Sequence, residues 1–273
     1  MSTGQVEIVL QPFLRWAGSK RQLVDRLKHF WCKSYSRYVE PFAGSSALFF
    51  ALKPPNALLC DKNQELIEVY EVLRRHPTRL YRCVTAIPRS RGNYYRMRVQ
   101  DTRNLSRLQR ATRFLYLNRF CFNGLYRTNR EGRFNVPYAP NGTGSFPSLE
   151  QFKACANALR RVTLRAWDFG TTLRYTKCGD FVYLDPPYAV ESRRIFREYG
   201  AGVFTQGDLH RLSEHLKGMH ERGVAFLVSY ADCSEARKYL SAWNCRRVRV
   251  RRNIAGFDEA RRHAYEILAW NDP

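Results

Sequence analysis

Apolar positions along the chain change period several times, and each change marks an element. Residues 21–31 carry apolar side chains at helical spacing. Tyr38-Val39 is a short apolar step leading into Glu40-Pro41-Phe42-Ala43-Gly44-Ser45-Ser46, and 47–52 is a continuous apolar run. Ala57-Leu58-Leu59-Cys60 reads as a second strand that stops at Asp61. A strand, a small-residue turn, a helix and a strand ending in an acid form the start of a nucleotide-binding parallel sheet. From residue 66 the pattern turns Arg-rich and helix-like, then rich in Asn, Gly, Tyr and Phe between Asn118 and Pro147. Strand-like runs return at 162–164 (ending near Asp168), 181–184, 224–229 and 265–270. The chain therefore divides into 1–65, 66–150 and 151–273, one α/β sheet interrupted by a basic, aromatic insertion.

The run at 181–184, Phe-Val-Tyr-Leu, ends in Asp185-Pro186-Pro187-Tyr188. Pro186 biases Asp185 towards an extended backbone, and Pro187, lacking an N–H, stops a regular ladder or helix. Four stiff residues thus project a carboxylate, a carbonyl and an aromatic face beyond a strand end, where open α/β sheets bind ligands. A strand followed by a tight turn with a capping Asp has the same local signature.

Composition narrows the partner. The 273 residues hold 46 Lys+Arg against 24 Asp+Glu, a net charge of +22, and most of the cations are arginine. Arginine forks onto phosphates and guanine edges, so this excess points to nucleic acid before a membrane surface. Eight scattered cysteines include no C-x-x-C, which argues against a zinc site or a disulfide scaffold and fits reduced thiols. His210, His215 and His220 recur at spacing five, a poor metal face on a helix. No charged-then-apolar leader pattern and no membrane-length apolar run is present, so a soluble, intracellular protein is expected.

The turn at Gly44-Ser45-Ser46 lets backbone approach a ligand, but it lacks the G-x-G-x-x-G spacing and the P-loop lysine. Asp61 is placed to accept hydrogen bonds from ribose hydroxyls. Asp185 and the Pro186 carbonyl suit a particular reaction, methyl transfer to an exocyclic amine. The amine lone pair is delocalised into its ring, and two acceptors aimed at the amine hydrogens localise it as the nitrogen becomes tetrahedral. Pro186 and Pro187 would hold both acceptors rigidly, and Tyr188 would stack on a planar base.

These motifs, in this order, resemble the Dam-type (D12 class) DNA adenine-N6 methyltransferases nearly end to end. Phe13-Leu14-Arg15-Trp16-Ala17-Gly18-Ser19-Lys20 is similar to the family's N-terminal cofactor segment, residues 40–46 to its Glu-Pro-Phe-x-Gly loop, and 59–63 to its ribose-binding acid segment. Residues 118–137 resemble its target-recognition hairpin, and Asp185–Tyr188 its catalytic motif. The resemblance implies a Rossmann-like S-adenosylmethionine-dependent methyltransferase sheet with an inserted, mostly helical target-recognition domain carrying a β-hairpin. It implies S-adenosyl-L-methionine bound by Trp16, Lys20, Asp61 and Asp185, lined by Glu40, Phe42 and Gly44, with Asp168 a weaker partner for its adenine; no metal is called for. Phe122 would be the aromatic wedge. Asn123, Leu125 and Arg127 would lie in the major groove, Arg127 on a guanine, with Arg15 at an outer base and Pro137 packed near a base. One departure is Ser46, where many relatives carry a second glycine. A cytoplasmic enzyme of bacterial or phage origin follows, acting on double-stranded DNA without an obligate protein partner.

The expected reaction is methylation of adenine N6 in a GATC-like duplex site after base flipping. Two alternatives stand beside it. One is cytosine-N4 methylation, whose enzymes usually show Ser where Asp185 stands; the other is a non-catalytic DNA-binding protein on a methyltransferase fold.

Overall fold

The structure is a computed structural model that describes residues 10–129, 131–140, 144–188, 204–251 and 263–272. Among them, seven strands form one sheet: β1 (Arg37–Glu40), β2 (Ala57–Cys60), β3 (Val162–Arg165), β4 (Asp180–Leu184), β5 (Ala225–Ala231), β6 (Asn244–Arg251) and β7 (His263–Trp270). Their order across the sheet is β3-β2-β1-β4-β5-β7-β6. β1 to β5 pair in parallel, whereas β7 runs antiparallel to both β5 and β6. This is the Rossmann-like arrangement of S-adenosylmethionine-dependent methyltransferases. The order reverses between β1 and β4, the switch point at whose carboxyl ends open α/β sheets bind their ligands. The segments after β1 and β4 are Glu40–Ser46 and Asp185–Tyr188, so the topology brings the two expected motifs side by side.

Side-chain alternation along the strands builds two apolar layers. Tyr38, Leu59, Phe181, Tyr183 and Leu227 bury on one face, against α2 (Ala47–Leu52), α3 (Gln64–Arg75), α6 (Arg107–Phe120) and α7 (Leu149–Ala158). Val39, Leu58, Val182, Leu184 and Val228 bury on the other, against α8 (Phe169–Arg174), α9 (Gln206–Glu221) and α10 (Ser234–Leu240).

Between β2 and β3 lie α3, α4 (Pro77–Thr85), α5 (Arg91–Val99), α6 and α7. α6 opens with a capping box: Ser106 Oγ accepts from Gln109 N–H, and Gln109 Oε1 accepts from Ser106 N–H. Leu80, Val84, Tyr94 and Phe114 of this stretch share one core with Phe49, Leu59 and Tyr183. The residues expected to mark the insertion's ends, 65–66 and 150–151, fall inside α3 and α7.

Two elements differ from expectation. Residues 21–31 form only a helical turn, α1 (Val24–Leu27), followed by a 3₁₀ turn at Lys28–Phe30. β6 was not anticipated, because arginine dominates it. Its Arg247-Val248-Arg249-Val250 alternation is a strand signal nonetheless, with both valines buried.

Candidate active site

β4 ends at Leu184, and Asp185 leaves the sheet with its side chain 19% exposed. Lys20, 7% exposed, donates through Nζ to Asp185 Oδ1 at 2.6 Å and to the Gly18 carbonyl at 3.0 Å. Ser229 on β5 donates to the same Oδ1 at 3.2 Å and shares a 3.0 Å hydrogen bond with the Tyr183 hydroxyl. Tyr188 closes the other side. Its hydroxyl donates to Glu266 Oε1 at 3.0 Å, its ring meets Tyr230 edge-on at 5.1 Å, and Lys20 Nζ lies 5.2 Å from its centroid. Pro186 is buried and Pro187 exposed.

Burial lowers the Lys20 pKa, but Asp185, Tyr188 and Glu266 outweigh it and hold the ammonium charged well above its ordinary range. Burial raises the Asp185 pKa, and the Lys20 contact only partly offsets it. With Lys20 and Ser229 both on Oδ1, the second carboxylate oxygen keeps its acceptor capacity for an incoming group.

The cofactor-side candidates line the neighbouring strand ends. Asp61 accepts the Gly44 N–H at 3.1 Å and the Asn63 N–H at 2.9 Å, one on each oxygen. Gly44 takes φ +45°, and a Cβ there would meet the Trp16 ring at 2.8 Å, so glycine is what lets Trp16 close over the turn. Ser46 also takes a left-handed φ of 49°, the conformation for which glycine is better suited, and its hydroxyl donates to the Ala43 carbonyl at 3.2 Å. Glu40 is buried and accepts from the Tyr38 hydroxyl at 3.1 Å. Burial raises the pKa of both Glu40 and Asp61; at Glu40 the negative charges of Asp185 and Asp61 add to it. In a chain of net charge +22, Asp185 and Glu266 act on Lys20 here, with Glu40 beside Asp185 and Asp61, and Asp61 next to Lys62. Phe42 lies at its border, stacked on Phe169 and edge-on to Phe204. Asp168 caps α8 through Gly170 N–H and forms a two-pronged ion pair with Arg211, 3.0 Å on each oxygen.

The β-hairpin expected at 118–137 is not formed among the described residues: 118–120 end α6, and 121–129 and 131–138 make an open loop pair tied by two isolated antiparallel bridges, Cys121 to Tyr138 and Thr128 to Phe134. Phe122 is 41% exposed at a 3₁₀ turn whose next residue, Asn123, is exposed at φ 54°. Phe122 N–H donates to the Pro137 carbonyl at 2.9 Å, which places exposed Pro137 beside it. Leu125 is half-buried, and Arg127 Nε donates to Asn135 Oδ1 at 2.8 Å. Arg15 joins the N-terminal segment to this region: its backbone N–H and carbonyl pair with the Asn118 side-chain amide, and its guanidinium donates to the Arg119 carbonyl at 2.9 Å.

Ser229 and Glu266 were missed by sequence reasoning. Each interrupts an apolar strand, Ala225–Ala231 and His263–Trp270, with a buried polar side chain, and that interruption is the signal that could have found them. Among the described residues, no group of three His, Cys, Asp or Glu could hold a metal ion, and no helix is long and apolar enough to cross a membrane.

Comparison with known proteins agrees with this geometry. The chain is 30% identical over 274 residues to the type II methyltransferase M1.LlaDCHI of Lactococcus lactis subsp. cremoris, covering 97% of this chain and 96% of that one. It is 29% identical to the DNA adenine methylase of Escherichia coli K12, covering 96% and 95%, and 31% identical to the retron Ec67 DNA adenine methylase of Escherichia coli, covering 95% and 91%. Residues 16–254 match the family of D12 class N6 adenine-specific DNA methyltransferases. That span runs from Trp16 past the Asp185–Tyr188 motif, and the family's adenine specificity sets aside both the cytosine-N4 and the non-catalytic alternatives. The chain belongs to the D12 class of adenine-specific DNA methyltransferases.

Proposed function

We propose that this DNA adenine methyltransferase takes its methyl group from S-adenosyl-L-methionine and acts on an adenine flipped out of duplex DNA within a GATC-like site. The observation that carries the reading is the Lys20–Asp185–Ser229 array, facing Tyr188 and bordered by the carboxylates of Glu40 and Asp61.

The residues fit a cationic donor. Four carboxylates, Glu40, Asp61, Asp185 and Glu266, outnumber the two lysines beside them, Lys20 and Lys62, and inside a strongly basic protein this favours a ligand carrying positive charge. Asp61 would accept from the ribose hydroxyls, Trp16 and Gly44 would line the amino-acid arm with Phe42, and Glu40 would face its charge; Asp168 would reach the adenine. When bound, the sulfonium supplies an electrophilic methyl and leaves as a neutral thioether.

The protein's own part is to prepare the amine. Lys20 and Ser229 fix Asp185 through Oδ1, leaving Oδ2 to accept one N6 hydrogen while the Pro186 carbonyl accepts the other. Both contacts strengthen as positive charge develops on nitrogen, so they favour the transition state over the ground state. Tyr188, braced by Glu266 and Tyr230, would stack on the extruded base. Exposed Phe122 suits a wedge in the gap the base leaves. Arg127, steadied by Asn135, would fork onto a guanine, with Asn123, Leu125, Arg15 and Pro137 on neighbouring bases. Residues 66–150 would act as the target-recognition insertion and 1–65 with 151–273 as the catalytic part, in the cytoplasm of the host.

Incubation with methyl-labelled S-adenosylmethionine and duplex DNA, followed by nucleoside analysis and mapping of modified sites, tests this. Label in N6-methyladenine within GATC is expected. Methyladenine at sites lacking GAT would overturn the recognition reading and leave the chemistry standing.

A further inference from the structure

Tyr126 sits between two of the DNA-reading candidates, Leu125 and Arg127, yet its own contacts run the other way. Its ring stacks with Trp16 at 6.1 Å between centroids and 17° between planes, and with Phe114 at 5.4 Å and 26°. Its hydroxyl donates to Glu65 Oε2 at 2.9 Å. Both polar-side partners lead to the turn that would hold the cofactor. Trp16 lies so tightly on Gly44 that a methyl group there would meet its ring at 2.8 Å. Glu65 stands in the first turn of α3, whose cap residue Asn63 gives its N–H to Asp61.

A second tie runs parallel. Arg15, next to Trp16, exchanges two hydrogen bonds with Asn118, and Gly124 at φ 64° packs so close that an added Cβ would lie 3.0 Å from the Arg15 Cβ. Two isolated bridges and a few further hydrogen bonds cross the loop pair among the described residues, without a regular ladder, so its position also depends on such tertiary contacts.

We propose that Tyr126 is a positioning residue that couples cofactor binding to DNA recognition, by holding Leu125 and Arg127 in register with Trp16 and Glu65. Settling of Trp16 and the Asp61–Glu65 segment on the cofactor fixes the plane and hydroxyl of Tyr126, and with them the backbone of both readers. The effect is reciprocal: DNA seated on the readers tightens the cofactor site by the same factor. The inference rests on the functional reading above.

The test measures the affinity of the full chain for S-adenosylhomocysteine, alone and with saturating GATC duplex, by titration calorimetry. Wild type is expected to bind it about 5- to 150-fold more tightly with duplex present, the usual span of such couplings. Tyr126→Leu should bring that factor close to one while each ligand alone binds within about twofold of wild type, a pattern that a general loss of structure does not give. Tyr126→Phe keeps both stacks and loses the Glu65 bond, and should give an intermediate factor; Glu65→Gln should match it. Wild type that binds both ligands independently, or variants with an unchanged factor, would overturn the coupling and leave the site assignments intact. A chain that binds neither ligand would overturn the assignments, and the coupling with them.

Discussion

A carboxylate that accepts hydrogens from an amine works only while ionised, and the burial of Asp185 pushes its pKa up despite the Lys20 contact. Turnover should therefore rise with pH along an acid limb displaced upward from the ordinary aspartate range near about 4. Asp185→Ala should cut kcat by roughly 100- to 1,000-fold, the usual cost of losing one preorganised transition-state contact, while the protein stays folded by circular dichroism. Asp185→Asn should be nearly as slow, because an amide keeps the shape and loses the charge. Near-normal turnover by the alanine variant would remove this carboxylate from the chemistry. Arg127 poses a separate question of specificity. A lost arginine–guanine fork costs about 1–3 kcal/mol of discrimination, so Arg127→Ala should relax the choice of one base pair by roughly ten- to a hundredfold, read by mapping methyladenine in treated genomic DNA. Asn135→Ala, which frees Arg127 Nε from its side-chain acceptor, should relax the same position more mildly.

At the scale of elements, the turn between β1 and α2 is the most tightly built part of the site. Gly44→Ala places a methyl 2.8 Å from the Trp16 ring and strains a backbone at φ +45°, so Trp16 must move. Cofactor affinity should fall at least tenfold, measured by titration, with the Asp61 contact to the Gly44 N–H disturbed as well. This turn was legible in the sequence, because strand, small residues and apolar helix follow one another without interruption there. So were β2, β4, β5 and most of β7, whose apolar runs admit little else. β6 escaped because its outward positions are arginine and the eye reads charge before period. Ser229 and Glu266 escaped for a related reason: each is one polar residue inside a strand, and only the fold brings it to Asp185 or Tyr188. The segment at 118–137 stood out by its residue types, but no local pattern showed that 118–120 would end α6 or that the two sides of the loop pair would be joined by isolated bridges instead of a ladder.

At the scale of the whole molecule, the proposed function sets a net charge of +22 suited to a polyanion against a carboxylate-lined site suited to a cation. With about six phosphate contacts, log K for DNA should fall against log salt with a slope near about −5, measured by fluorescence anisotropy. The carboxylate site titrates in the other sense. Burial first, then the neighbouring carboxylates, raises the Glu40 pKa above its unfolded value, so the ligand-free fold binds that proton more tightly than the unfolded chain does. Its contribution to stability is present below the ordinary glutamate range and is lost as pH rises through the raised value. A cationic ligand relieves this penalty. The rise in melting temperature on adding S-adenosylmethionine should therefore grow between about pH 5 and pH 8, by calorimetry, and Glu40→Gln should flatten the trend.

The cluster at Tyr188 also has a chronology. Lys20 precedes β1, Tyr188 follows β4, and Glu266 lies on β7, the last of the described strands in sequence, so segments far apart in the chain meet at one tyrosine. During synthesis the cofactor turn, the loop pair and Asp185 all emerge before the residue that braces Tyr188. A ribosome-held chain stopped short of His263 lacks β7, and β5 then shows its hydrogen-bonding edge to water. Such a chain should carry the amine-binding motif without turnover, and activity should switch on only as the final strand is released.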